Sequence, residues 1–222
     1  LIDFRGCIDE EELLRKCDRT NLITMKPFAM ASTLQRSSHD YDIEAAIAYA
    51  HLVYGKSMLT ARVAEVLTAV DYFAEVWFAG LPFTFVGTGQ GGLISIISSL
   101  IENKIAGAIA IDMLASYDSL FENKDFFVNQ TDIVPGFTKE LDVQHLLSIS
   151  STKPILLLNP RGPRDRLLTD AELSSYCNVP QASSGHTSHG SPLPIENCDR
   201  REYSTIVGQW LDGSRTGRAR PR

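Results

Sequence analysis

The segment GTGQGG at residues 87–92 constrains the fold of this chain of 222 residues more than any other feature. It follows the β-rich apolar run PFTFV (82–86) and precedes LISIISSLI (93–101), which is apolar almost all round, as a buried helix would be. Glycines between a strand and a helix indicate a sharp turn with close backbone contacts. Since the helix amino terminus there offers free N–H donors and a partial positive charge, we expect a functional site at this turn.

The glycine turn matches two different motifs. As G-x-G-x-x-G, it places Gly87, Gly89 and Gly92 as in a Rossmann-type domain that binds NAD(P), with Asp112 at the end of the next predicted strand on the ribose hydroxyls. As G-x-S-x-G, it is a nucleophile elbow flanked by Gly87 and Gly91. Gly89 then occupies the position of the catalytic serine.

The elbow interpretation predicts impaired catalysis, because the hydrogen side chain of Gly89 cannot attack a carbonyl. Thr88 is the neighbouring hydroxyl, but an adjacent residue on such a turn points in another direction. The N–H of Gln90, the residue after the nucleophile position, is the expected oxyanion-hole donor.

The segments around the turn predict a mostly parallel sheet flanked by helices. YDIEAAIAYAHLVYG (41–55) is Ala-rich and ends at a glycine, as a capped helix does. A second helix follows, with Arg62 lying off its apolar face. That face consists of Val63, Val66, Leu67, Val70, Phe73, Ala74 and Trp77. IAGAIAID (105–112) and PILLLN (154–159) are typical of buried strands, so strands and helices alternate as in an α/β fold.

The second half of the chain contains fewer periodic segments. Residues 113–150 form a Phe-rich insertion with a helix predicted at 139–149, and residues 168–176 are predicted to be helical. A last helix at 199–212 places Tyr203, Ile206, Val207, Trp210 and Leu211 on one face.

Composition predicts one globular domain, residues 1–212, followed by a disordered basic tail, 213–222. The formal charge of -6 would repel phosphate backbones and anionic headgroups, so we expect neither nucleic acid nor membrane as a partner. A neutral or polar small-molecule ligand fits better. The four cysteines are scattered and impose no disulfide framework, so they do not indicate whether the protein works in a reducing or an oxidising compartment.

Several stretches resemble bacterial α/β-hydrolases of the acetyl xylan esterase and dienelactone-hydrolase-like group. LIDFRG (1–6) is similar to their fourth strand and its Arg-Gly turn, and residues 48–73 to the helical approach to the elbow. Residues 87–112 are similar to the elbow, its helix and the sixth strand, and residues 151–160 to the seventh strand. The resemblance implies an esterase for acyl or carbohydrate esters, with the first three strands and one oxyanion-hole loop before residue 1.

The resemblance also implies a triad acid and a triad histidine on loops that follow the late strands. Asp165, six residues beyond PILLLN, is the best-placed acid, and Asp112 is an alternative. Asp170 is a second choice, although Thr169 before it is typical of a helix cap.

The segment SSGHTSHGS places the candidate histidines His186 and His189 before the last helix. No convincing eighth strand precedes them in CNVPQASS (177–184). Cys177 and Cys198 flank the two histidines, but this spacing matches no usual structural zinc pattern. We therefore predict no metal and no cofactor, and a degenerate triad of Gly89, Asp165 and His186.

Overall fold

The computed structural model describes residues 2–4, 23–24, 43–122, 124, 130–149, 153–176 and 195–216. Within these ranges the strands are β1 (Ile2–Phe4), β2 (Ile23–Thr24), β3 (Phe83–Thr88), β4 (Ile105–Ile111), β5 (Ile155–Leu158) and β6 (Ile195–Glu196). The helices are α1 (Ile43–Val53), α2 (Met58–Val76), α3 (Gln90–Ile101), α4 (Asp118–Glu122), α5 (Phe137–Glu140), α6 (Val143–Ile149), α7 (Asp170–Tyr176) and α8 (Tyr203–Thr216). Short 3-10 turns lie at Gln130–Asp132 and Arg200–Glu202.

The described strands form one parallel sheet in the order β2-β1-β3-β4-β5-β6. Both ends of β4 and of β5 lie within one residue of the ends of the predicted apolar runs. β3 begins one residue later than predicted and extends two residues further, to Thr88. The predicted parallel sheet with flanking helices is therefore confirmed. Because every strand runs the same way, all carboxyl ends lie along one edge of the sheet.

The two outer strands on the β1 side differ from the sequence expectation. β1 pairs directly with β3, and β2 lies outside it. In the α/β-hydrolase order the third strand lies beside the elbow strand and the fourth lies outside the third. LIDF thus occupies the place of the third strand, not of the fourth as the resemblance implied.

Apolar side chains cover both faces of the sheet. One face packs against α2, α3, α6 and α7, through residues such as Val66, Phe85, Leu93, Ala108 and Leu157. The other packs against α8, through Val86, Ile109, Ile111, Leu156, Leu158, Tyr203, Val207, Trp210 and Leu211. Alternation of side chains along each strand places neighbouring residues on opposite faces, so this is a three-layer arrangement with the sheet in the middle.

Ser57 caps helix α2, because its hydroxyl accepts a hydrogen bond from the N–H of Thr60 at 3.1 Å. Val63, Val66 and Val70 are buried as predicted. Two assignments were wrong. Trp77 follows the helix and is 67% exposed, and Arg62, placed off the buried face, is only 1% exposed.

The predicted helix at 139–149 is interrupted at Asp142, so that α5 and α6 are separate. The buried carboxylate of Asp142 accepts hydrogen bonds from the hydroxyl of Ser116 at 2.6 Å, the N–H of Tyr117 at 2.8 Å and the N–H of Val143 at 2.7 Å. It therefore caps the start of α6 and ties the segment after β4 to it.

We expect Asp142→Ala to lower the free energy of unfolding by about 1.5–3 kcal/mol, because charge-assisted bonds to buried donors are lost. Chemical denaturation measures this value. Asp118→Ala serves as the control, since the Asp118 side chain is exposed and the backbone N–H of Asp118, which donates to Asp142 at 3.4 Å, is kept in the variant. Equal stability of Asp142→Ala and wild type would contradict the capping role.

The carboxyl-terminal elements match the sequence pattern with two differences. Thr169 and Glu172 hydrogen-bond reciprocally at the start of α7, which confirms Thr169 as the cap. Helix α8 buries the predicted face but extends to Thr216, so the first four residues of the predicted tail are helical. The strand β6 at Ile195–Glu196, which was not predicted, pairs with β5; residues 177–184, where no eighth strand was expected, lie outside the described residues.

Among the described residues, no helix has the length and apolar character that crossing a membrane requires.

Candidate active site

A single residue, Gly89, connects β3 to α3. The strand ends at Thr88, the helix begins at Gln90, and Gly89 has φ 55° and ψ -121°. This combination lies in a region of positive φ that side chains other than glycine's adopt only under strain. A sharp, strained strand-to-helix turn of this kind presents the nucleophile in α/β-hydrolases.

The flanking glycines are required by close packing. A Cβ atom on Gly87 would lie 2.0 Å from the carbonyl oxygen of Gly91, and one on Gly92 would lie 2.9 Å from the Cβ of Ala110. The lack of a side chain at Gly92 therefore lets α3 pack closely against β4. These glycines therefore allow the tight turn that the elbow motif predicts.

We expect Gly89→Ala to lower the free energy of unfolding by about 1–3 kcal/mol, the usual cost of a strained φ/ψ region for a residue with a side chain. Gly89→Ser should cost about as much, because the strain is in the backbone. Thermal and denaturant unfolding measure both variants. Gly89→Ala would raise stability only if alanine could adopt the backbone conformation of residue 89 without strain. Such a gain would contradict the strained conformation of Gly89.

The residues that directly follow the strands form a row along the carboxyl edge of the sheet. The N–H of Gly89 donates to the carbonyl of Ile111 at 2.8 Å, and the N–H of Asp112 donates to the carbonyl of Leu158 at 2.9 Å. Gly89, Asp112 and Asn159 are therefore neighbours across three strands. Asp112 (φ 49°) and Asn159 (φ 50°) also have positive φ. Strained residues cluster at functional sites, which favours this edge as the site.

Asp112 is held by arginines. Its Oδ1 accepts from Nε of Arg161 at 2.9 Å and from Nη2 of Arg161 at 2.5 Å, and its Oδ2 lies 3.3 Å from Nη2 of Arg200. The carboxylate is thus already engaged by guanidinium groups. It is not free to bind the ribose hydroxyls, the role that the Rossmann alternative required.

Asn159 joins the edge of the sheet to α8. Its side-chain amide donates to the hydroxyl of Tyr203 at 2.7 Å and to the carbonyl of Cys198 at 2.8 Å, and its Oδ1 accepts from the N–H of Cys198 at 2.7 Å. Burial raises the pKa of the Tyr203 phenol; the hydrogen bond with Asn159 opposes this rise, and the negative charge of Asp112 adds to it. Tyr203 therefore stays protonated and acts as a hydrogen-bonding group.

The side chain of Gln90 points into the protein, where Arg62 and Thr131 hold it. Nη1 of Arg62 donates to Oε1 of Gln90, and Nε2 of Gln90 donates to the carbonyl of Thr131 at 2.5 Å. Nη2 of Arg62 also donates to Oε1 of Glu44 at 2.6 Å, and Glu44 is 3% exposed. This buried network, the Glu44–Arg62–Gln90 cluster, fixes the first residue of the elbow helix.

Thr88 is poorly placed as a substitute nucleophile. Its Oγ1 is buried and makes no hydrogen bond to any part of the chain that the structure describes. An attacking hydroxyl needs a base within hydrogen-bond reach to remove its proton.

Asp165 lies, as predicted, on the loop after β5. It is exposed, has φ 55°, and its carbonyl accepts from Nη1 of Arg161 at 3.3 Å. Arg161 thereby connects Asp165 to Asp112. The candidate bases His186 and His189 lie outside the described residues, as does Cys177, whereas Cys198 is described and partly buried.

Four side chains at this edge and beneath it were not predicted from the sequence to belong to the site. Arg62 follows Met58 and Leu59 by three or four residues, a spacing that already places it on the buried face of α2. Arg161, Arg200 and Tyr203 come together only through the sheet, and no local spacing indicates it.

No protein-family model and no curated protein matches the sequence. Among solved structures, the acylaminoacyl peptidase of Pyrococcus horikoshii superposes with a TM-score of 0.56 at 9% identity, over 90% of this chain and 33% of that chain. S-formylglutathione hydrolase of Staphylococcus aureus gives a TM-score of 0.44 at 16% identity, over 96% of this chain and 79% of that chain. This chain therefore spans about one third of the length of the acylaminoacyl peptidase.

The chain has the α/β-hydrolase fold, as the resemblance implied. The Rossmann alternative finds no support. A dinucleotide fold needs a glycine-rich loop that cradles the pyrophosphate, whereas here only Gly89 lies between β3 and α3.

Proposed function

We propose that this chain is an esterase-like α/β-hydrolase domain, similar to the acetyl xylan esterase and dienelactone-hydrolase group, whose catalysis is impaired. The observation that supports this most is the backbone of Gly89, which has the strained dihedrals of an elbow but carries no attacking atom. Its ligand is a small-molecule or carbohydrate ester that lies in the cleft above the carboxyl edge.

The amino terminus of α3 supplies the remaining electrostatic part of the site. In the first turn of a helix the N–H groups have no intrahelical partner, so the N–H of Gln90 can donate to a carbonyl oxygen above Gly89. The Glu44–Arg62–Gln90 cluster holds this residue in place. The site can therefore orient and polarise an ester without forming an acyl-enzyme.

Asp165 and His186 complete the proposed degenerate triad as acid and base. Asp165 follows β5 on an exposed loop, which suits a residue that reaches toward a histidine from a later loop. Without a nucleophile, these residues have no attacking side chain to activate, and the residual catalysis that an oxyanion hole and ester binding alone supply is orders of magnitude below that of a full triad.

Turnover of p-nitrophenyl acetate tests the proposal. We expect the rate with the wild-type chain to equal that with His186→Ala, because no acyl transfer passes through this histidine. Thr88→Val, which keeps the shape of the side chain, should also leave the rate unchanged. Saturable hydrolysis that either substitution abolishes would show an active enzyme with an unorthodox nucleophile or an activated water.

Gly89→Ser tests the proposed acid and base separately. If Asp165 and His186 are in place, the introduced serine should react with a fluorophosphonate, and adding Asp165→Asn or His186→Ala should abolish the reaction. Asp170→Asn is the matched control for the acid, because Asp170 begins α7 and should not affect labelling. Labelling that survives His186→Ala would remove His186 from the triad.

A further inference from the structure

The Asp112 carboxylate, at the carboxyl edge of the sheet, contacts two guanidinium groups. Among the contacting side chains that the structure describes, the guanidinium groups of Arg161 and Arg200 thus outnumber the one carboxylate, a local excess of positive charge. The chain as a whole carries a formal charge of -6, so this local excess opposes the overall charge. It lies where ligands bind in α/β folds, beyond the carboxyl ends of the strands.

The two arginines differ in how they are held. Arg161 is 16% exposed and makes two bonds to Oδ1 of Asp112, whereas Arg200 is 73% exposed and makes one long bond of 3.3 Å to Oδ2. Arg161 is therefore fixed, whereas Arg200 has donors that make no hydrogen bond to the part of the chain that the structure describes. A guanidinium group has five N–H donors, arranged to bind a carboxylate or phosphate in pairs.

We propose that Arg161 and Arg200 form a subsite for an anionic group of the bound ester, a carboxylate or a phosphate, with Asp112 holding the two guanidinium groups in position. This inference depends on the proposed function only for the location of the ester in the cleft. The subsite makes the ligand class an ester with a negative charge on its acyl or alcohol part.

The geometry of the sheet sets the spacing that such a ligand needs. Asp112 follows the strand next to the elbow strand, and neighbouring strands lie about 4.8 Å apart. With the ester carbonyl above Gly89, an anionic group at the arginines lies about 5–10 Å away, one or two strand spacings.

Thermal unfolding of the full chain in the presence of sodium succinate or sodium phosphate tests this subsite. At constant ionic strength set with NaCl, we expect Tm to rise with the logarithm of the anion concentration above the Kd, by about 3–6 °C at ten times the Kd. A rise with succinate alone identifies a carboxylate, and one with phosphate alone identifies a phosphate. An unchanged Tm with both anions would overturn the proposal.

Substitution of Arg200 distinguishes a specific anion subsite from a general effect of positive charge on anion binding. Arg200→Gln should weaken the binding of the effective anion at least about tenfold, as loss of charge-assisted hydrogen bonds does. Arg201→Gln removes the same charge from the next exposed residue and should change the Kd by less than about twofold. Equal affinity in Arg200→Gln, or an equal loss in Arg201→Gln, would overturn the assignment.

These measurements need no turnover, so they are independent of the proposed function. If the chain proves to hydrolyse esters but the anion titration behaves as stated, the proposed impairment fails and the subsite stands. If esters are not hydrolysed and no anion binds, the subsite alone fails.

Discussion

Arg62→Met will lower the free energy of unfolding by about 3–5 kcal/mol, the usual cost of leaving a buried charge without its partner. Arg62 is 1% exposed and Glu44 is 3% exposed, so neither group can recover hydration without disturbing the fold. Gln90 would also lose the donor to its Oε1. Denaturant titration followed by circular dichroism measures the change.

The double variant Arg62→Met with Glu44→Gln is the control. Once the carboxylate is neutral, much of the loss should be recovered, because the main cost is the unpaired charge and not the lost packing. Equal destabilisation of the single and double variants would contradict the buried ion pair.

Gly87→Ala will destabilise the fold by about 4 kcal/mol or more, the exceptional range for one substitution. The added Cβ would lie 2.0 Å from the carbonyl oxygen and 2.1 Å from the carbonyl carbon of Gly91. Backbone atoms of a helix start cannot move aside as a flexible side chain can, so α3 would have to separate from β3. The yield of folded protein and the denaturation midpoint measure the effect.

Gly80→Ala is the matched control for Gly87→Ala. Gly80 has φ 75° and nothing within 4 Å of an added Cβ, so only the left-handed backbone contributes, about 1–2 kcal/mol. Equal stability of the two variants would contradict the close contact between Gly87 and the backbone of Gly91.

The order of elements could be predicted because hydrophobic patterning is local. PFTFV, IAGAIAID and PILLLN are long enough runs of β-branched and apolar residues to mark strands, and the glycine turn marks the connection between β3 and α3. Short strands carry no such signal. β2 and β6 have two residues each, so pairing with a neighbour, and not their own composition, makes them strands.

The side chains around the candidate site could be predicted only in part. Gly89 and the Gln90 position follow from the motif, since spacing along the chain defines them. The partners of Asp112 do not, because Arg161 and Arg200 are 49 and 88 residues away and meet it only across the sheet. Arg62 was wrongly predicted to lie off the buried face for another reason. Charged residues are almost never fully buried unless paired, and the partner of Arg62, Glu44, lies on a different helix.

The intact mass of the protein after incubation with a fluorophosphonate tests the central claim most directly, namely that the elbow holds no attacking side chain. We expect the mass of the wild-type chain to stay unchanged at concentrations that fully label a serine hydrolase. One adduct per chain that maps to residues 87–92, and that Thr88→Val removes, would contradict the claim.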